Sequence, residues 1–259
     1  MNTKLLSPRA LSVIDQYLHF KVGRAVCSVP YFNNKTARVR NALAVNVGKG
    51  SPKEIFDEVQ TILTKNHVDQ MTIADDSLKK MLVDHNIGID CSAFAFYTLN
   101  AESEEQGKGT LERHIKPIKS NGLISRMFFA LNPVKNIGVS TFVNDKNSKI
   151  ISLSETKPGD IITMLSTVND HERNHILVVH QVEYQNFNAT KIHYSHAVAY
   201  PEDGLYGTGI KQGAIDVADA TKSLTEQVWR ENGTVEGAAR IFGRAKSSKT
   251  ELRRLKAFA

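Results

Sequence analysis

Residues 175–200, HILVVHQVEYQNFNATKIHYSHAVAY, decide the fold class. His175 to Val179 is a continuous strand-forming run, Gln181 to Tyr184 alternates polar with apolar residues, and a second run continues from about Phe187 to Tyr200. Two such runs joined by the polar pair Gln185-Asn186 read as an antiparallel hairpin. With that pair as the turn, Tyr184 faces Phe187, and His175 lies opposite His196 on the same sheet face. A turn centred on Tyr184 would bring His193 opposite His175 but would break the alternation. A longer loop over 185–190 would move His175 opposite Tyr200.

Outward from this hairpin, Pro158-Gly159 precedes a strand-like run from Asp160 to Leu165, and Ala214 to Val217 supplies another strand. The earlier chain has helical periodicity. Ser7-Pro8 caps a helix with Leu11, Ile14 and Leu18 on one face, and Ser51-Pro52 opens a second with Ile55, Phe56, Val59 and Ile62. Leu78, Met81 and Leu82 mark a third helix, ending near His85. From Cys91 the run CSAFAFYTLNAE forms a fourth. Short strands are expected within 24–48. Helices first and strands later indicate an α+β fold. Three parts are expected: an N-terminal extension over 1–72, a main domain over 73–217 with an insertion at about 102–149, and a helical basic tail over 218–259.

The chain has 259 residues, 41% hydrophobic and 23% charged, which excludes disordered and fibrous classes. Its longest apolar runs are about five residues, too short for a transmembrane helix. The first 23 residues contain Arg9, Asp15 and Lys21 and so lack a secretory signal, which makes the cytoplasm the default expectation. Cys27 and Cys91 form neither a disulfide framework nor a zinc-ribbon or redox pair. Seven basic residues from Arg240 to Lys256 face only Glu251, which equals the whole net charge of +6. That tail is either a solvated helical face or a contact for an anionic polymer.

Cys91 falls at a helix N-terminus, where unpaired amides and the helix dipole are expected to lower a thiol pKa and make a nucleophile. Cys27 has no neighbouring base and reads as structural. His175, after the polar turn 169–174, is the candidate base; His196 is the preferred orienter of its imidazole and His193 the second choice. A competing motif overlaps the base: His171-Glu172-Arg173-Asn174-His175 fits HExxH, with Glu202 as a possible third zinc ligand. That chemistry needs a helix, whereas this stretch reads as a turn between β-like runs. Gly48-Lys49-Gly50-Ser51 reads as a helix-entry turn.

The segments GIDCSAFAFY (88–97), KPGDIITM (157–164), NHILVVHQVEY (174–184) and YSHAVA (194–199), followed by Gly209 to Gly213, together resemble the NlpC-type papain-like cysteine peptidases. The resemblance covers roughly residues 75–217. It implies a papain-like fold, Cys91 as nucleophile, His175 as base and His196 as orienter. It also implies that Asp90 and Ser92 bind the amine end of a short, peptidoglycan-derived peptide, with no cofactor. Two departures stand out: Ala93 replaces the usual glycine, and the tyrosine usual about a dozen residues before the cysteine is missing, Leu78-Lys79-Lys80 standing there. The expected activity is amide hydrolysis through an acyl-enzyme. An acyltransferase on the same triad, an inactive binding module and a zinc metalloprotease are the alternatives.

Overall fold

The computed structural model describes residues 2–33, 43–116, 118, 133–167 and 174–259. Strand β1 (Asn2–Leu5) leads into helix α1 (Pro8–Leu18) and the small hairpin β2 (Phe20–Val22) and β3 (Ala25–Cys27). Helices α2 (Pro52–Lys65), α3 (Asp75–Asp84) and α4 (Cys91–Glu105) follow, then short helices α5 (Pro133–Asn136) and α6 (Val139–Val143). The strands β4 (Ser148–Ile150), β5 (Ile161–Ser166), β6 (His175–Gln185), β7 (Asn188–Val198), β8 (Gly209–Asp216) and β9 (Val228–Glu231) come next. Helix α7 (Ala239–Ser247) and β10 (Ser248–Leu255) close the chain.

The helices begin where the capping signals stand. Ser7 Oγ accepts from Ala10 N at 3.3 Å with proline next. Ser51 and Glu54 form a reciprocal capping box ahead of α2. Apolar faces then meet: Ala10, Ile14 and Tyr17 of α1 are buried in one cluster with Phe94 of α4 and with Ile176 and Val178 of β6. Each fully buried large apolar side chain here contributes about 1.5–3 kcal/mol.

Apart from β2 and β3, which pair with each other, the strands form one antiparallel sheet in the order β4-β10-β5-β6-β7-β8-β9, with β1 paired to the far half of β6. Its two faces carry different cores. Ile176, Val178 and Ala197 face α1 and α4, whereas Leu177, Val179, Ile192, Tyr194 and Val198 face Trp229 and Ile241 of α7. The segment 1–72 is therefore built into the sheet and core rather than appended to them.

The hairpin turn lies one residue later than the sequence suggests. Asn186 and Phe187 occupy it at φ 49° and 65°, and Gln185 faces Asn188. A two-residue turn with both central residues left-handed matches strand twist, and asparagine tolerates that conformation. Two irregularities, at Val179/Gln181 and Glu183/Tyr184, adjust the register, and Val178 ends opposite Ser195. His175 and His196 are diagonal rather than directly opposite. The offset is an even number of residues, so they keep a common face.

The C-terminal segment differs most from expectation. In place of a helix through Trp229 and a helical basic tail, β9 pairs with β8, and β10 lies inside the sheet between β4 and β5. Its charges are largely spent within the fold. Arg254 bonds both oxygens of the buried Asp160 carboxylate at 2.7 and 2.8 Å, Arg253 pairs with Glu251 and Asp145, and Arg240 pairs with Glu202. No helix among the described residues is long and apolar enough to cross a membrane.

Candidate active site

The site begins at the N-terminus of α4. Asp90 is the N-cap: its Oδ1 accepts from Ala93 N at 2.8 Å and its carbonyl accepts from Phe94 N. The amide donors left at this helix end are those of Cys91 and Ser92. Lys49 enters from the segment before α2, its Nζ 2.7 Å from Asp90 Oδ2, 2.8 Å from Ser92 Oγ and 2.8 Å from the carbonyl of Ile137. Ser92 Oγ in turn donates to Asp90 Oδ1 at 2.8 Å. Lys49, Asp90 and Ser92 are all buried. The close approach of the two segments requires Gly48: its φ is 73°, and a Cβ there would lie 2.1 Å from the carbonyl oxygen of Phe32.

Cys91 is buried, and among the groups acting on its thiol is the backbone amide of Ile176, the residue after His175. Burial pushes the thiol up to about 12, and the Asp90 carboxylate pushes the same way; Lys49, the Ile176 amide and Arg244 oppose them. The sequence expectation of a lowered pKa is thus reversed. The helix end does offer its field, but a carboxylate caps it and the side chain is dry. The resting site holds a thiol, not a thiolate. Iodoacetamide should therefore alkylate Cys91 at pH 7 at least ~100-fold more slowly than it alkylates a cysteine in an unfolded peptide. Peptide mapping of a timed labelling reaction measures this.

The imidazoles form a buried chain. His175 Nε2 and His196 Nδ1 are 2.7 Å apart, and His196 Nε2 is 2.8 Å from Glu231 Oε2. His175, His196 and Glu231 are each no more than 1% exposed. The tautomers follow from the carboxylate, which only accepts. His196 donates its Nε2–H to Glu231, so its Nδ1 is free to accept Nε2–H from His175. That leaves the lone pair of His175 on Nδ1. Tyr200 Oη lies 3.4 Å from the same Glu231 oxygen, and Glu231 Oε1 has no hydrogen-bond partner among the described residues.

The structure brings His175 and His196 together, and Cys91 is related to them through the Ile176 amide that lowers its pKa. Among the described residues no hydrogen bond joins the thiol to either imidazole. Strand alternation puts His175 and His196 on the α7 face, while Cys91 belongs to the core on the α4 face. His193 lies on the opposite face from His196 and bonds Glu183 at 2.7 Å, away from this chain of groups. Asp90 and Ser92 are engaged by Lys49. His171 and Glu172 lie outside the described residues. His175, the second histidine of that motif, sits on a strand, and Glu202 pairs with Arg240 at 2.6 Å. Among the described residues no group of three or more His, Cys, Asp or Glu side chains is arranged to hold a metal.

Three further groups were not singled out by the sequence. Glu231 stands in a segment that reads as helical, and nothing local marks it. Arg244, in the last turn of α7, lowers the pKa values of Cys91, His175 and His196 through its charge. Its guanidinium has no ion pair or hydrogen bond among the described residues. Tyr31 is bridged to Ile89, two residues before Cys91, and its hydroxyl is raised by burial and by the charge of Cys91. It supplies a tyrosine near the thiol from the N-terminal segment, where the stretch before Cys91 has none.

Burial also governs the pH response. His175 and His196 are held below the ordinary histidine value, and His180 is lowered to about 4, chiefly by loss of hydration. The unfolded chain therefore binds more protons than the native one below about pH 6.5, so stability is full above that value and falls as the solution is acidified. Cys91 acts on the alkaline side. With its pKa raised, stability falls from about pH 8.5 upward. Urea melts from pH 4 to 8 should show a midpoint that drops steadily below about 6.5.

No family model, curated protein or solved structure matches this chain.

Proposed function

We propose that the chain is a cysteine amidase of the NlpC type, with a papain-like arrangement in which Cys91, His175 and His196 act with Glu231. The observation that carries the reading is the buried His175–His196–Glu231 chain, with the amide of Ile176, the residue after His175, acting on the thiol of the helix-terminal Cys91. His175 Nδ1 takes the thiol proton as Sγ attacks an amide carbonyl. The positive charge that appears on His175 is spread through His196 and opposed by Glu231. Catalytic hydrogen bonds are often unformed before substrate arrives, so the open Cys91–His175 pair is compatible with this step. The tetrahedral oxyanion is met by the Cys91 amide and the Tyr31 hydroxyl. Collapse expels the amine, which carries away the proton from His175, and leaves a thioester. Water, deprotonated by His175, then releases the acid and restores the thiol.

The substrate class is a short peptide amide, with peptidoglycan-derived peptides the first to be tried. Incubation with a set of stem peptides, read by liquid chromatography and mass spectrometry, should show cleavage by the wild type and none by Cys91→Ala. An added amine acceptor distinguishes hydrolysis from acyl transfer by the product formed. Tyr31→Phe is expected to lower kcat by about 10-fold or more with KM little changed, because the oxyanion exists only beyond the ground state. The protonated, unpaired thiol favours a second reading, a non-catalytic binding module. In that case Cys91→Ala would bind the same peptides and no product would form with either protein.

A further inference from the structure

Among the described residues Asp90, the N-cap next to Cys91, is the carboxylate whose charge acts on the thiol. Were it free, it would attract an ammonium group to the acyl side of a bound amide. It is not free: Oδ1 holds Ser92 Oγ and Ala93 N, and Oδ2 holds Lys49 Nζ. The ammonium of Lys49 has its own acceptors in Asp90, Ser92 and the Ile137 carbonyl, and it is buried with them. The backbone fixes it there as well. Lys49 is bridged to Ile89, its carbonyl accepts from Tyr97 Oη at 2.9 Å, and Asp90 N donates to Gly48 O at 2.9 Å. Arg244 adds a second positive charge acting on the thiol.

We propose that Lys49 is a built-in occupant of the ammonium position beside Cys91, so that the substrate's acyl group carries no free amine next to the scissile carbonyl. The substrate class is an N-acylated peptide amide, or another amide whose acyl side is neutral or anionic. This rests on the reading of Cys91 as a nucleophile. A second ammonium would have to enter a dry site against the charge of Lys49 with both Asp90 oxygens already engaged, which disfavours free-amine substrates by at least ~10-fold.

The test uses two electrophilic probes that differ only in the amine, alanine chloromethyl ketone and its N-acetyl form. Labelling of Cys91 in the intact wild-type protein is followed by mass spectrometry, with each rate divided by that of the same reagent with glutathione. The N-acetyl probe is expected to label Cys91 at least ~10-fold faster. Equal rates, or faster labelling by the free amine, would overturn the inference while leaving Cys91 as the nucleophile. If neither probe labels Cys91, or both label it no faster in the wild type than in His175→Ala, the nucleophile reading fails and the inference falls with it. In Lys49→Ala the freed Asp90 should shrink or reverse the preference; an unchanged preference in the folded variant would also overturn it. The wild-type comparison stands whether or not that variant folds.

Discussion

His175→Ala is expected to lower kcat/KM for amide hydrolysis by about 10⁴-fold, the scale at which loss of a general base leaves only binding and oxyanion contacts. Cys91 makes this expectation sharper than it would be in a site with a preformed thiolate. Its thiol is pushed up to about 12, so almost none of it is ionised at neutral pH, and attack depends on removing the proton in the reaction itself. The substitution also leaves His196 Nδ1 without its donor in a buried place, and a loss of about 1–3 kcal/mol in stability should accompany the kinetic effect. Progress curves with a cleavable peptide, together with a urea melt, separate the two.

The second large effect falls on Glu231. Glu231→Gln keeps size and hydrogen-bonding reach but removes the charge opposite the two imidazoles, and kcat should fall by about 100-fold or more with KM nearly unchanged. An amide can also turn its NH₂ toward His196, which would invert both tautomers and put the proton of His175 on Nδ1, the nitrogen that must accept. A purely structural carboxylate would lower stability and spare kcat. Glu231→Asp, which keeps the charge, should recover part of the rate. Steady-state kinetics on the three proteins measures this.

How much of this was legible beforehand varies with how local the cause is. Helices α1 and α2 showed in their caps and apolar spacing, α3 in its apolar spacing alone, and α4 in its good helix formers. The β6–β7 hairpin showed in its alternation, although its turn falls on Asn186-Phe187 rather than Gln185-Asn186. The shared face of His175 and His196 survived because the register error was even. Strand β1 was invisible, since all four of its residues are exposed and it is a strand only through pairing with β6. Strand β10 looked like a charged tail because Arg253 and Arg254 sit in sheet positions that become tolerable only once Asp145, Glu251 and Asp160 are brought to them from elsewhere.

The same division runs through the site. Cys91 and His175 announce themselves by position at the ends of elements. The raised thiol, by contrast, depends on burial by distant segments, and Glu231, Arg244 and Tyr31 arrive from β9, α7 and the N-terminal segment. Lys49 stood in plain view between two glycines, but its role depends on meeting Asp90 across 40 intervening positions.

The central claim is that the His175–His196–Glu231 chain activates Cys91 for acyl transfer. Reaction with p-nitrophenyl acetate tests it most directly, with the nitrophenolate burst followed by stopped flow and the acetyl group located by peptide mapping. The account predicts a burst matching the enzyme concentration, acetylation at Cys91, and at least ~100-fold slower acetylation in both His175→Ala and Glu231→Gln. Acetylation that bypasses Cys91, or that proceeds at the wild-type rate in both variants, would contradict it.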